Sequence, residues 1–137
     1  MARTAAHEMF DRDTASRSLG MELIAAADGT AEVRMPVTEA MVNGHDIVHG
    51  GFVFLLADTA FACACNSHGP VTVAAGADIA FLRPVRAGDV LVARAGERAR
   101  QGRTGLYDVT VTREGPGDVV AEFRGRSHVV RQAGTPR

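Results

Sequence analysis

The chain has 137 residues, enough for one domain that buries about two thirds of the surface its unfolded form exposes. Hydrophobic residues make up 46% and charged residues 23%, ordinary values for a globular protein, and no apolar run approaches the roughly 18 residues of a membrane span. Net charge is −1 but uneven: residues 1–82 carry four Arg against ten acids, residues 83–137 eleven Arg against six, with no Lys. The basic half is too interleaved with acids and too poor in aromatics for a nucleic-acid surface, although a few of its Arg could meet a small polyanion such as a nucleotide phosphate.

Residues 3–18 are polar-mixed, with apolar positions at Ala6, Met9 and Phe10, and predict a short amphipathic helix ended by Gly20. The segment Met1 to Asp13 mixes Arg, His, Glu and Asp, which predicts no secretory signal and a cytoplasmic location. Met21 to Ala27 and Thr30 to Pro36 read as two strands joined by the hairpin signal Asp28-Gly29. Thr38 resembles an N-cap for a brief turn through Met41, and Asn43 to Gly50 is loop.

The most apolar stretch follows. A helix is expected from about Gly50 to Asn66, terminated by Ser67-His68-Gly69-Pro70. Apolar on all sides, it predicts full burial, yet it contains Asp58 with no Lys or Arg within a turn. Cys63 and Cys65 are two apart on this helix and point roughly 200° away from each other, so they cannot be bridged and read as small packing residues. Four strand-length segments complete the chain: Val71 to Leu82, Asp89 to Ala99, Thr104 to Arg113 and Val119 to Arg131. Val109, Val111, Val119, Ala121 and Phe123 are the inward candidates of the last two. Two strands, one apolar helix and four strands predict a single α+β domain over 1–137, an antiparallel sheet curled around a central helix.

Asn43-Gly44-His45-x-x-x-His49-Gly50-Gly51 followed by Leu56-Ala57-Asp58-Thr59 resembles the hotdog-fold thioesterases. More narrowly, it is similar to the phenylacetic acid degradation (PaaI) acyl-CoA thioesterases. Ala60-Phe61-Ala62, Cys65-Asn66-Ser67, Phe81-Leu82-Arg83-Pro84, Gly105-x-Tyr107-Asp108 and Phe123-Arg124-Gly125 extend the likeness from Leu19 to Val130. The resemblance implies hydrolysis of phenylacetyl-CoA or hydroxyphenylacetyl-CoA. It makes Asp58 the acid that attacks the thioester or activates water, Gly50 the glycine whose N–H polarises the carbonyl, and Asn43 a side-chain donor beside it.

Elementary chemistry supports those roles. The first N–H groups of a helix lack intrahelical acceptors and sit at its positive end, and Gly50-Gly51 lets a ligand approach them without a Cβ in the way. Asp58, desolvated by Phe54, Leu55, Phe61 and Ala62, should have a raised pKa, which makes it a better base or nucleophile. Gly50 and Asp58, eight residues apart, lie roughly 12 Å from each other along one helix and cannot easily serve one carbonyl. A two-fold dimer with antiparallel helices and composite sites is therefore expected, paired in turn as a dimer of dimers.

Further substrate-binding candidates are His49, Gly51 and Thr59 near the thioester and Arg83, Arg103 and Thr104 toward the coenzyme A phosphates or pantetheine; for each Arg the plainer reading is exposed charge on a sheet. Some family members orient water with a Ser or Thr on the strand after the helix. Val73-Ala74-Ala75-Gly76-Ala77 offers no hydroxyl there, leaving Thr59 or Thr72 to substitute. No cofactor or metal is expected: His45 and His49 have ligand-like spacing, but Gly44 and Gly50-Gly51 oppose a regular helix and no third ligand follows. His49 reads first as a residue that holds the loop. The competing functions are a hotdog acyl-thioester hydratase or dehydratase using a His with Asp58, and a non-catalytic acyl-CoA sensor.

Overall fold

The computed structural model describes residues 2–131. Helices α1 (Ala5–Asp11), α2 (Thr14–Ser18) and α3 (Gly50–Asn66) accompany strands β1 (Glu22–Ala27), β2 (Thr30–Pro36), β3 (Val71–Phe81), β4 (Val90–Gln101), β5 (Thr104–Arg113) and β6 (Val119–Arg131). The strands form one antiparallel sheet in the order β1-β2-β4-β5-β6-β3, curved around α3. No described helix is long and apolar enough to cross a membrane.

The single helix expected over 3–18 is two helices. Arg12 closes α1, its N–H reaching Met9 O and Phe10 O, and Asp13 starts α2 by accepting from Ser16 N at 3.0 Å. An Asp in cap geometry ends one helix and begins the next, because its side chain satisfies a donor that would otherwise lack a partner. Asp28 (φ 53°) and Gly29 (φ 79°) both adopt the left-handed conformation, the geometry that a two-residue β1–β2 hairpin demands. Glu39–Met41 is a 3-10 turn with Thr38 at its cap position, but the Thr38 side chain makes no capping bond.

The helix α3 buries Val53, Leu56, Ala57, Ala60, Phe61 and Ala64. Alanines there let the sheet approach closely. Gly125 on β6 does the same: a Cβ at that position would lie 2.8 Å from the Phe61 ring. Phe61 packs in turn against Tyr107 and Phe123, with ring centroids 5.6 and 5.8 Å apart. Beyond Asn66 the chain is clamped by that side chain, which donates to Thr72 O and accepts from Thr72 N, both at 3.0 Å.

Two expectations need correction. Val119 is only half-buried; a register shift between β5 and β6 near Val111 places Val120 inside instead, at 1% exposure. The helix is also not covered on every side by the sheet. The N-terminal helices cover one flank through Ala6, Phe10 and Ser16, and the stripe Gly51, Leu55, Asp58 and Ala62 remains partly or wholly open. At one sheet edge β3 presents Val71, Val73 and Phe81 to solvent, with Leu82 just beyond.

Most of the arginine-rich half is a cross-strand charge ladder. Arg124 grips Asp108 with two bonds of 2.7 and 2.9 Å, Arg94 meets Glu32 at 3.3 Å and Arg126 meets Asp78 at 3.0 Å. Exposed pairs of this kind are screened by solvent and add little to stability. These Arg are spent on the sheet surface.

Candidate active site

The site begins in the loop before α3. Asn43 Oδ1 accepts from His45 N at 2.8 Å and from Ile47 N at 3.2 Å, while Asn43 N donates to Ile47 O at 2.8 Å. Asp46 takes a left-handed turn (φ 62°) and Val42 bridges Val48, so the loop folds back beside the start of the helix. With the Asn43 oxygen committed to the loop, the amide's N–H₂ end carries no bond among the described residues. The turn role and a donor role are thus compatible in one side chain.

His49 occupies the N-cap position of α3 without a side-chain capping bond, its own N–H tied to Met41 O at 2.9 Å and its side chain exposed. The first helical donor to find an acceptor is Phe52 N, on His49 O at 3.0 Å; among the described residues the N–H groups of Gly50 and Gly51 meet none. They are the free donors that an anionic oxygen could use. Glycine at position 50 has a further cause that the sequence does not disclose: a Cβ there would stand 2.9 Å from Cζ of Phe81. That ring, 54% exposed, borders an open apolar groove of about 460 Å³ that runs from Gly50 past Val53 and Val85 to Arg83.

Asp58 lies on the uncovered stripe of α3, half-buried, with no hydrogen bond or ion pair to any described residue. Burial raises its pKa, and the negative charge of Asp13 raises it further. An anion that is partly desolvated and unpaired is a reactive base or nucleophile. The neighbouring Thr59 does not serve as its water holder in this structure. Its hydroxyl is 4% exposed, donates to Leu55 O at 2.8 Å and meets Ser16 Oγ at 2.9 Å. Thr72 is likewise committed, to Pro70 O at 3.0 Å.

Arg83 stands at the Gly50 groove, bonded to Val119 O and 3.9 Å from Asp118. Arg103 and Thr104 border a different, small cavity of about 40 Å³ with Cys65, His68 and Tyr107, at the other end of α3. Seventeen residues of helix separate the two ends, roughly 25 Å. The single chain therefore brings together Asn43, His49, Gly50, Gly51 and Arg83, and leaves Asp58 midway and Arg103-Thr104 remote. Cys63 and Cys65 are buried, and burial pushes both thiols up to about 12. No group of three or more His, Cys, Asp or Glu is gathered to hold a metal ion among the described residues. Sequence reasoning missed Asp13 and Ser16, whose signal, an acid three residues before a serine, is an ordinary helix cap.

The sheet wrapped on α3, with free donors at the helix start and an unpaired carboxylate two turns on, defines a hotdog thioester hydrolase. The Thioesterase superfamily profile matches residues 45–120, and the chain belongs to that superfamily. The acyl-coenzyme A thioesterase PaaI of Escherichia coli K12 is 47% identical over 123 residues, covering 90% of this chain and 87% of that protein. The structure of the E. coli PaaI protein from the phenylacetic acid degradation operon superposes with a TM-score of 0.90 at 45% identity, covering 93% and 92% of the two chains. A thioesterase protein of Streptococcus pneumoniae TIGR4 solved with coenzyme A gives a TM-score of 0.78 at 25% identity, covering 82% and 90%.

Proposed function

We propose that the chain hydrolyses phenylacetyl-CoA or hydroxyphenylacetyl-CoA to the free acid and coenzyme A, with Asp58 as nucleophile or general base. The observation that carries this reading is the Asp58 carboxylate itself, unpaired and half-buried on an otherwise apolar stripe. The aryl preference is supported by the similarity to the E. coli protein from the phenylacetic acid degradation operon, and the coenzyme by the relative solved with it. The Gly50 N–H and the Asn43 amide would take the developing negative charge on the thioester oxygen. Carboxylate attack would break the C–S bond, release the thiol and leave an anhydride for water to open; as a base, Asp58 would instead take the proton of an attacking water. His49 and Gly51 flank the reacting group.

The working unit in this proposal is a two-fold dimer with shared sites, paired further as a dimer of dimers. Gly50 and Asp58 stand too far apart along one helix to act on one carbonyl. Antiparallel helices crossing near Phe54, midway between them, would set each Gly50 opposite the other protomer's Asp58. The open stripe of α3 and the unpaired apolar edge of β3 support such an interface. The same crossing would bring the Arg103-Thr104 end of one protomer alongside the Arg83 end of its partner, where both could contact one coenzyme.

A thiol-release assay across short-chain, long-chain and aryl acyl-CoAs tests the substrate. The expected ranking has phenylacetyl-CoA and its ring-hydroxylated form at the highest kcat/KM; no preference over short straight chains would refute it. Asn43→Ala should lower kcat by about 10²-fold at most, since the Gly50 N–H remains. The loss belongs in kcat rather than KM, because the donor acts on charge that develops in the transition state.

A further inference from the structure

The N-terminal helix pair touches α3 through one chain of hydrogen bonds. The Asp13 carboxylate accepts from Ser16 N at 3.0 Å and from Ser16 Oγ at 2.7 Å. Ser16 Oγ in turn meets Thr59 Oγ1 at 2.9 Å. Both hydroxyls are buried, Ser16 at 1% and Thr59 at 4% exposure. Each hydroxyl has a single hydrogen: with Ser16 donating to Asp13, the one Thr59 hydrogen is shared between Leu55 O at 2.8 Å and Ser16 Oγ. These buried contacts tie the start of α2 to α3 at Thr59.

Thr59 is the residue after Asp58, so the chain ends on the same turn of α3 as the reacting carboxylate. We propose that Asp13 is a positioning residue for the reaction at Asp58: through Ser16 and Thr59 it locks α2 onto α3 and keeps a second carboxylate beside the first. The inference rests on Asp58 being the reacting group. The ionisable groups that bear on Asp58 are few. Asp13, the N-cap of α2, acts on it by its charge, and Cys65, two turns along α3, keeps its proton to about 12 and carries no charge near neutrality. Among the described residues no Arg or His pairs with Asp58 to cancel the field. The negative charge of Asp13 also reaches Cys63, so it is felt along the α2-facing flank of the helix. A neighbouring anion makes Asp58 hold a proton more tightly, and so makes it a stronger base or nucleophile once ionised.

Asp13→Asn separates charge from structure, because Asn caps a helix about as well as Asp. In thiol-release assays on phenylacetyl-CoA, the acid limb of kcat/KM should move to lower pH. At neutral pH kcat should fall on the order of threefold to tenfold, KM should hold, and Tm should stay near wild type. Ser16→Ala keeps the Asp13 charge and its backbone anchor while cutting the link to Thr59. It should lower Tm and, by loosening the placement of Asp13, move the acid limb part of the way toward that of Asp13→Asn. If the Asp13→Asn limb coincides with wild type while Asp58→Asn is inactive, the positioning role is overturned and the reading of Asp58 stands. Turnover that survives Asp58→Asn overturns the reading of Asp58, and the role of Asp13 with it.

Discussion

Replacing Asp58 by Asn should lower kcat by on the order of 10²–10⁴, the scale of a lost acid–base group, and should make the protein more heat-stable at neutral pH. The two effects share a cause. Burial, helped by the charge of Asp13, raises the folded-state pKa of this carboxyl above its unfolded value. The folded protein therefore binds the proton more readily than the unfolded chain does. The stability that goes with that proton is present in full below the unfolded pKa and is lost as pH rises through the folded one. Asn carries no such penalty. Its advantage in Tm should be greatest at neutral pH and should vanish in acid. A thermal scan of both proteins across pH checks the stability half, and an unchanged kcat in the variant would defeat the assignment of Asp58.

A second large effect is expected from mixing two inactive proteins. Gly50→Pro removes the donor N–H directly, yet proline suits the first turn of a helix, and His49 before it already has the extended backbone (φ −62°, ψ 134°) that proline requires. The Phe81 ring tip must swing aside, which its exposure allows. Alone, Gly50→Pro should lose about 10²–10³ in kcat. Co-refolded with Asp58→Asn in equal amounts, half the dimers become mixed, and each mixed dimer regains one site with both groups intact. Activity should return to roughly a quarter of wild type. If each site lay within one chain, mixing would restore nothing, so thiol release before and after co-refolding decides the point.

The parts of this fold that could be read from sequence are those set by local chemistry. The α3 boundaries follow from two glycines at one end and a Ser-His-Gly-Pro stop at the other. The β1–β2 turn follows from the demand for two left-handed residues at Asp28 and Gly29. What could not be read depends on distant partners. The Arg12–Asp13 break lies in a polar stretch where a cap and a surface acid look alike. The inward shift to Val120 arises from the pairing of β5 with β6. The open stripe of α3 has no polar face to betray it, because Gly51, Leu55 and Ala62 look like core. For the site, Asp58 stood out because a lone carboxylate in an apolar run needs a reason. Phe81 over Gly50 and Ser16 against Thr59 join residues 31 and 43 positions apart, and no spacing rule connects them.

The burial of Cys63 and Cys65 bears on redox chemistry. Every turnover of a thioester hydrolase sets free a thiol, and once such a thiol has been oxidised to its disulfide, an accessible protein thiolate can attack that disulfide, displace one thiol and form a mixed disulfide. With both sulfurs enclosed and their thiols pushed up to about 12, almost no thiolate is present to react. Both cysteines are thereby shielded from such disulfides, and disulfide-based chromogenic thiol reagents added to the folded protein would register only what the reaction releases.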